Sequence, residues 1–481
     1  MKRKFITNLA LVIALNLLVK PFWIFGIDRE VQNAVGNTDY GFYFALFNFS
    51  LILNILLDLG ITNYNNRNIA QHSQLLSKHL SNIVVLKFLL AVVYFIVSIS
   101  VAMIIGYDKE QIRLLLFLLF NQFLLSFILY MRSNISGLHF FRTDSVVSVL
   151  DRFLMIVICG FLLYNEHTKD AFKIEWFVYA QTVGYTLTAI IAFVIVLAKS
   201  EFIKLNFDRK FFIVFLKQSY PYALLILLMS MYNRVDSVML ERLLGSKGDF
   251  HAGIYAQAFR ILDAAAMFAF LFAGLLLPIF AKMLKQKEPV EQLVQLSFLL
   301  IIVPAITFSV CCAFYSKEIM DLLYENHSHI SDDLLGILIF GFIAMSITYI
   351  FGTLLTANGN MKQLNKMAAT GLLINVVLNL IFIPKYQAYG AAITSLVTQS
   401  FTAIAQVFIA KRILKLSINW KLIFTLLLFV IGVVGLGLIT RHLLANWVLG
   451  FFLTAGLSAA LAFGIRLISL KNLYEIVKYE K

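Results

Sequence analysis

Residues 114–130 read Leu-Leu-Leu-Phe-Leu-Leu-Phe-Asn-Gln-Phe-Leu-Leu-Ser-Phe-Ile-Leu-Tyr. Asn121, Gln122 and Ser126 are the only strongly polar side chains in the run. A strand, even one in a membrane barrel, would alternate polar and apolar positions. A continuous run of about 20 apolar residues instead fits a helix crossing the hydrocarbon core of a bilayer. Val84–Ile105 and Leu422–Ile439 repeat the pattern. The whole chain of 481 residues follows suit, with 60% hydrophobic and only 14% charged residues. A soluble domain carries roughly 25% charged residues, so a soluble or a disordered protein is excluded. The fold class is an all-α polytopic membrane protein.

About fourteen transmembrane helices can be placed, near 6–27, 40–61, 82–105, 112–134, 147–164, 174–197, 217–241, 252–280, 293–315, 334–357, 367–383, 388–410, 420–440 and 444–468. Lys2-Arg3-Lys4 opens the first like a signal peptide. Lys20-Pro21-Phe22-Trp23 stands where small cleavage-site residues would, so an uncleaved helix is expected. Lys and Arg concentrate in alternate loops and Asp and Glu in the others, which predicts both termini on the basic, cytoplasmic side. Topology and anionic lipid thus account for the net charge of +14 without a nucleic-acid partner. Cys159, Cys311 and Cys312 sit in apolar runs and form no CxxC pair. No P-loop, HExxH or GxSxG occurs, so no enzyme, catalytic residue or cofactor is expected. His327-Ser-His329 in an acidic outer loop suggests a solvated segment rather than a metal site.

An internal repeat organises the chain. Gly41-Phe-Tyr43-Phe-Ala-Leu-Phe47 recurs as Gly253-Ile-Tyr255-Ala-Gln-Ala-Phe259, six spans later. The motif predicts two six-helix lobes related by pseudo-two-fold symmetry, plus two extra C-terminal helices. The expected limits are 1–199 for the N-lobe, 200–216 for a cytoplasmic linker, 217–412 for the C-lobe, and 413–481 for the last two helices and tail.

Charges at membrane depth cost several kcal/mol unless paired or wetted, so they mark candidate sites. Six are read inside spans: Lys20, Arg234, Arg260, Asp58, Asp236 and Asp263. Arg234 lies on a polar stripe with Ser230 and Ser237, widened by Asn233 and Asp236. Arg260 and Asp263 share a helix face with Gln257. Lys20 precedes Pro21, which kinks its helix. These make Arg234, Arg260 and Lys20 candidate substrate contacts, and Asp263 and Asp236 candidate coupling or ion-pair partners. Ser230, Asn233, Gln257, Gln122 and Tyr130 are secondary cavity candidates. Asp58, near the cytoplasmic surface, is expected to contact the basic loop at Arg67 or Lys78. Asn375 and Asn379, and Ser395, Gln399, Thr402 and Gln406, read mainly as interhelical hydrogen-bonding stripes. Gly432, Gly435 and Gly437 permit close packing of the penultimate helix.

Leu354-Leu-Thr-Ala-Asn358-Gly359-Asn-Met-Lys362 and Asn375-Val-Val-Leu-Asn379-Leu-Ile-Phe-Ile-Pro384, running on to Gly390 and Ser395, resemble the C-terminal half of Wzx-type polysaccharide flippases. These belong to the multidrug/oligosaccharidyl-lipid/polysaccharide exporter superfamily. Asp58-Leu-Gly60-Ile-Thr-Asn-Tyr-Asn-Asn-Arg67 in the N-terminal half is similar to the same family. The resemblance implies two six-helix lobes around a cavity open alternately to either side. It implies movement of undecaprenyl-diphosphate-linked oligosaccharide from the cytoplasmic to the periplasmic leaflet of a bacterial inner membrane, as in O-antigen and lipopolysaccharide synthesis. The partners it implies are lipid-linked oligosaccharide and membrane lipid, with protons or Na+ as candidate coupling ions and a polysaccharide polymerase or glycosyltransferases as candidate contacts. Related alternatives are a peptidoglycan lipid precursor flippase and a cation-coupled multidrug exporter. A membrane glycosyltransferase is disfavoured by the short loops.

Overall fold

The computed structural model describes residues 18–19, 21–62, 65, 69, 74, 76–138, 140–200, 209–417 and 419–467, without the side chains of residues 78, 79 and 209–219. Every regular element among the described residues is a helix. Twelve are long and apolar enough to cross a membrane. Of the expected fourteen, the first begins outside the described residues, and the second is broken before it reaches full length.

That break has a readable cause. A π-helical segment, Trp23–Asp28, follows Pro21 and leads into α1 (Arg29–Ile52). Within α1, Gly36 takes φ 79° and ψ 174°, so the chain turns sharply between the first and second spans. The left-handed region suits glycine, which has no Cβ to clash. After Ile52 the helix tightens into a 3₁₀ turn at Asn54–Leu57. Leu59 (φ 46°) and Gly60 (φ 87°) then reverse the backbone. Lys87, 1% exposed, holds the broken end. Its Nζ donates to Asp58 Oδ1 at 2.6 Å, Leu57 O at 3.0 Å and Ser126 Oγ at 2.8 Å. Asp58 therefore finds its partner in the next span. The side chains of Arg67 and Lys78, its expected partners, lie outside the described residues.

The chain divides into two compact units, Met1–Gly253 and Ile254–Lys481. In the first, α2 (Leu76–Ile104), α3 (Lys109–Gly137), α4 (Phe141–Tyr164), α5 (Ile174–Leu197) and α6 (Arg209–Leu243) join α1. Helix α3 packs along α5, α5 along α4, and α6 along α1. The repeat assigns α6 to the second half, yet its packing on α1 places it in the first unit. Helix α7 (Gly248–Gln286) runs through the unit boundary. Its first residues close on α1: a Cβ on Gly41 would collide with Asp249 O, and one on Gly253 with Asn37 O. Gln32 Nε2 donates to Gly253 O at 3.0 Å beside that crossing.

The second unit contains the rest of α7, α8 (Glu291–Phe314), the short α9 (Ser316–Leu323) and α10 (His329–Leu338). Helices α11 (Gly341–Ala357), α12 (Met361–Tyr386), α13 (Ala388–Leu414), α14 (Trp420–Leu443) and α15 (Trp447–Gly464) complete it. Helix α13 is central to this unit, packed by α12, α11 and α10. Helices α14 and α15 pair and lean on α8. Gly437 admits Phe314 and Gly432 admits Leu461, whereas Gly435 meets no neighbour. Outward residues are large and apolar throughout, such as Ile431, Phe452 and Phe424, as a lipid-facing surface requires.

Candidate substrate-contact residues

In the first unit, α6 brings Arg234 to α1, where its Nη1 donates to Asn48 Oδ1 at 3.3 Å. Asn48 is buried and donates to Phe44 O at 2.9 Å, which fixes its amide with the oxygen toward the guanidinium. Asp236 and Ser237 are buried on the same helix, while Arg234, Asn233 and Ser230 stay partly exposed. The stripe read from spacing thus separates into an open part around Arg234 and a packed part around Asp236. Gln122 and Tyr130, on α3, are buried. Tyr130 exposes no surface; its carbonyl accepts from Ser133 and Asn134. Lys20 lies outside the described residues.

More charge lies within the spans than the six residues read from sequence. Lys87 is one case; Asp151 and Arg152, adjacent and mid-way along α4, are another. Side chains of opposite charge next to each other in sequence suggest mutual neutralisation, yet their closest approach is 3.9 Å. The Arg152 guanidinium lies 5.3 Å from the Trp23 ring centre and 5.6 Å from that of Tyr185. Trp23 stacks on Phe177 at 5.6 Å. Gln181 Nε2 donates to the Tyr43 hydroxyl at 3.1 Å, and the Tyr40 hydroxyl donates to buried Asp28 at 2.8 Å. An aromatic and polar interior therefore connects the π-helical segment, α1, α4 and α5. The sequence signal for it was the helical stripe Ser145, Ser148, Arg152, Met155 and Cys159.

A third cluster caps this unit. Gln111 Nε2 donates to Glu241 Oε1 at 2.7 Å, and Arg242 pairs with Glu241. Arg242 also donates to Gly106 O at 3.1 Å and stands over the Tyr107 ring at 4.5 Å. Burial, reinforced by the Glu241 charge, pushes the Tyr107 phenol well above its ordinary pKa. This cluster joins loops and reads as structural.

In the second unit, Arg260 and Asp263 on α7 are partly exposed, with Gln257 buried one turn earlier. The Tyr324 hydroxyl donates to Gln257 O at 3.3 Å. Asn379 donates to Asn375 at 3.1 Å, and Ser395, Gln399, Thr402 and Gln406 are all buried. These positions are buried, and the Asn379–Asn375 bond and the donation from Thr402 to Gln399 O run within α12 and α13 respectively. Among the described residues no group of three His, Cys, Asp or Glu side chains could hold a metal ion.

The family model described as "Polysaccharide biosynthesis protein" matches residues 30–284. The chain belongs to the polysaccharide biosynthesis protein family. The match runs from the start of α1 almost to the end of α7, so it contains both motifs of the repeat and every charged candidate described above except Lys20 and Asp28. The MatE family model also matches this polysaccharide biosynthesis protein, over residues 221–381. A membrane protein of Methanocaldococcus jannaschii is 22% identical, with 92% of each chain covered. The capsular polysaccharide biosynthesis protein CapF of Staphylococcus aureus is 25% identical over 45% of this chain and 55% of its own. Among solved structures, the lipid II flippase MurJ in an inward closed conformation superposes with a TM-score of 0.71 at 16% identity. That match covers 97% of this chain and 100% of MurJ. An inward-facing multidrug resistance MATE family transporter of the MOP superfamily follows at 0.60 and 16%, covering 85% and 98%. The fold is thus the one these two solved structures share, and the protein is a multi-pass membrane protein.

Proposed function

We propose that this polysaccharide biosynthesis protein is a flippase. Its substrate is an undecaprenyl-diphosphate-linked oligosaccharide, moved by alternating access from the cytoplasmic to the outer leaflet for surface polysaccharide synthesis. The observation that carries the reading is Arg234. A partly exposed guanidinium in the span α6, bonded to Asn48, places a cation at a depth where charge is expensive to keep. The diphosphate head is such an anion, and Arg is the side chain suited to hold phosphate oxygens in pairs. Arg260, on α7 in the second unit, is a candidate contact in its own right, with Asp263 as its orienting or coupling partner. The apolar cavity of about 330 Å³ lined by Val303, Pro304, Phe308, Phe451 and Phe463 suits a hydrocarbon tail. The protein acts in the cytoplasmic membrane with both termini inside, and a transmembrane gradient of protons or Na+, or consumption of product outside, drives it.

The test is transfer of fluorescent undecaprenyl-diphosphate-oligosaccharide between leaflets of proteoliposomes. Losing a charge-assisted contact worth about 1.5–3 kcal/mol lowers transfer roughly ten- to hundredfold. Arg234→Ala and Arg260→Ala should each show that loss while remaining folded. Normal transfer in both variants would remove these residues from the site and leave the function standing. The MatE match over 221–381 favours one second reading, a cation-coupled drug exporter. Movement of a cationic dye, with no transfer of the lipid-linked sugar under any gradient, would establish it.

A further inference from the structure

Arg152 sits near the centre of α4, the twelfth residue in a helix of 24. At 1.5 Å per residue that is roughly 17 Å from either end. The lipid-facing side of this helix carries Val146, Phe153, Val157 and Phe161, all more than half exposed. Arg152 lies on the opposite side with Ser148, Met155 and Cys159, and 25% of its side chain remains exposed there. A guanidinium has five N–H donors. Here the polar contacts are the Met155 sulfur at 4.0 Å and the Asp151 carboxylate at 3.9 Å. Two aromatic rings, Trp23 and Tyr185, lie within 6 Å of the guanidinium carbon and restrict its orientation. A cation at this depth with so few strong acceptors has donors to spare, and the apolar surroundings strengthen whatever charge meets it.

We propose that Arg152 is the seat of an oxyanion within the first unit: a group presenting two oxygens side by side to an orientated guanidinium. Two sources share that chemistry, the phosphate of a lipid carrier and the carboxylate of an acidic sugar. Which of them is carried rests on the flippase reading; the seat itself does not. Asp151 keeps the seat close to neutral, and Gln181, one turn before Tyr185 on α5 and bonded to Tyr43, is the nearest amide in sequence for a sugar hydroxyl.

Trp23 makes the seat observable, because an anion drawn to Arg152 changes the charge next to its ring. The experiment uses the full chain in nanodiscs of phosphatidylcholine, with Trp176, Trp420 and Trp447 replaced by Phe so that Trp23 alone fluoresces. Undecaprenyl diphosphate and methyl glucuronide are titrated separately. A saturable Trp23 response is expected to at least one of them. Arg152→Gln should weaken it at least tenfold, and Arg152→Lys several-fold, because an amine keeps the charge and loses the paired donors. A response to the diphosphate alone assigns the carrier. A response to the glucuronide alone assigns an acidic sugar. A response to both assigns a seat that accepts either. If Arg152→Gln does not fold, Arg152→Lys decides. No response to either probe, or equal responses in wild type and Arg152→Lys, overturns the proposal. Leaflet transfer is measured on the same samples. Transfer with no Arg152-dependent response sinks the seat and spares the flippase; the converse sinks the flippase and spares the seat.

Discussion

At the scale of single residues, burial separates charges that stabilise the fold from charges free to meet a ligand. Lys87 is 1% exposed and its ammonium has three close oxygen partners. It fills the acceptors left where α1 breaks, a structural duty. Removing one member of a buried pair leaves an uncompensated charge and costs about 3–5 kcal/mol. Asp58 keeps 27% of its side chain exposed, so the lower end applies. Lys87→Met alone should lower stability by about 3 kcal/mol, whereas the Lys87→Met/Asp58→Asn double variant should recover most of it. Unfolding in mixed-detergent titrations measures both. A double variant no more stable than the single would show that Lys87 acts through Leu57 O and Ser126 rather than through Asp58. The sequence placed Asp58 and Lys87 in neighbouring spans but could not pair them, since pairing depends on where the backbone reverses. Arg152 was not singled out from the sequence, and only side-chain direction shows that it and the adjacent Asp151 do not bond closely. Arg234 was singled out because its polar neighbours recur at helical spacing.

At the scale of elements, the repeat carries the argument. Tyr43 stacks on Phe47 at 5.6 Å with planes 22° apart. Tyr255 stacks on Phe259 at 5.5 Å with the same angle. The two copies of GxYxxxF therefore fold into one local geometry. The glycines play matching parts as well. Gly41 yields room to the carbonyl of Asp249, and Gly253 to that of Asn37; 249 and 253 each lie 212 residues beyond 37 and 41. Both glycines serve a backbone crossing, which a sequence motif shows only as a shared letter. Gly36 serves another need, with φ 79° and nothing within 4 Å of a would-be Cβ. Two kinds of cost follow. Gly36→Ala should lose only about 1–2 kcal/mol of backbone strain. Gly41→Ala and Gly253→Ala force the helices apart at a packed crossing and should cost about 3 kcal/mol or more. Thermal melting in detergent ranks the three. A Gly36→Ala loss equal to the others would mean that strain, not closeness, sets the requirement.

At the scale of the whole molecule, the alternation of loops rests on charge bias, which acts over whole segments and does not depend on any one contact. The structure adds an independent check within each unit. Numbering the fourteen expected spans, contacts between loops join odd with odd or even with even. Arg242, after span seven, reaches Gly106, after span three. Asn65, after span two, donates to Asn134, after span four. Tyr389, at the opening of span twelve, donates to Asp333, and Arg441 pairs with Glu318, the last three residues all on odd-numbered connections. Ser417 donates to Glu291 on even-numbered ones. One miscounted span would have set some of these partners on opposite faces of the bilayer. The breaks in the second span and the extension of α7 to 39 residues were not legible, because hydropathy registers apolar length and not where a helix bends. The basic, even-numbered face should be cytoplasmic. Cys159, Cys311 and Cys312 are all buried, so the native chain provides a quiet background for a membrane-impermeant maleimide. Ser417→Cys should react only when the cytoplasmic face is opened. His167→Cys and Asn446→Cys, on odd-numbered connections, should react in intact cells. Labelling in the reverse sense would invert the orientation and, with it, the direction in which the lipid-linked sugar is carried.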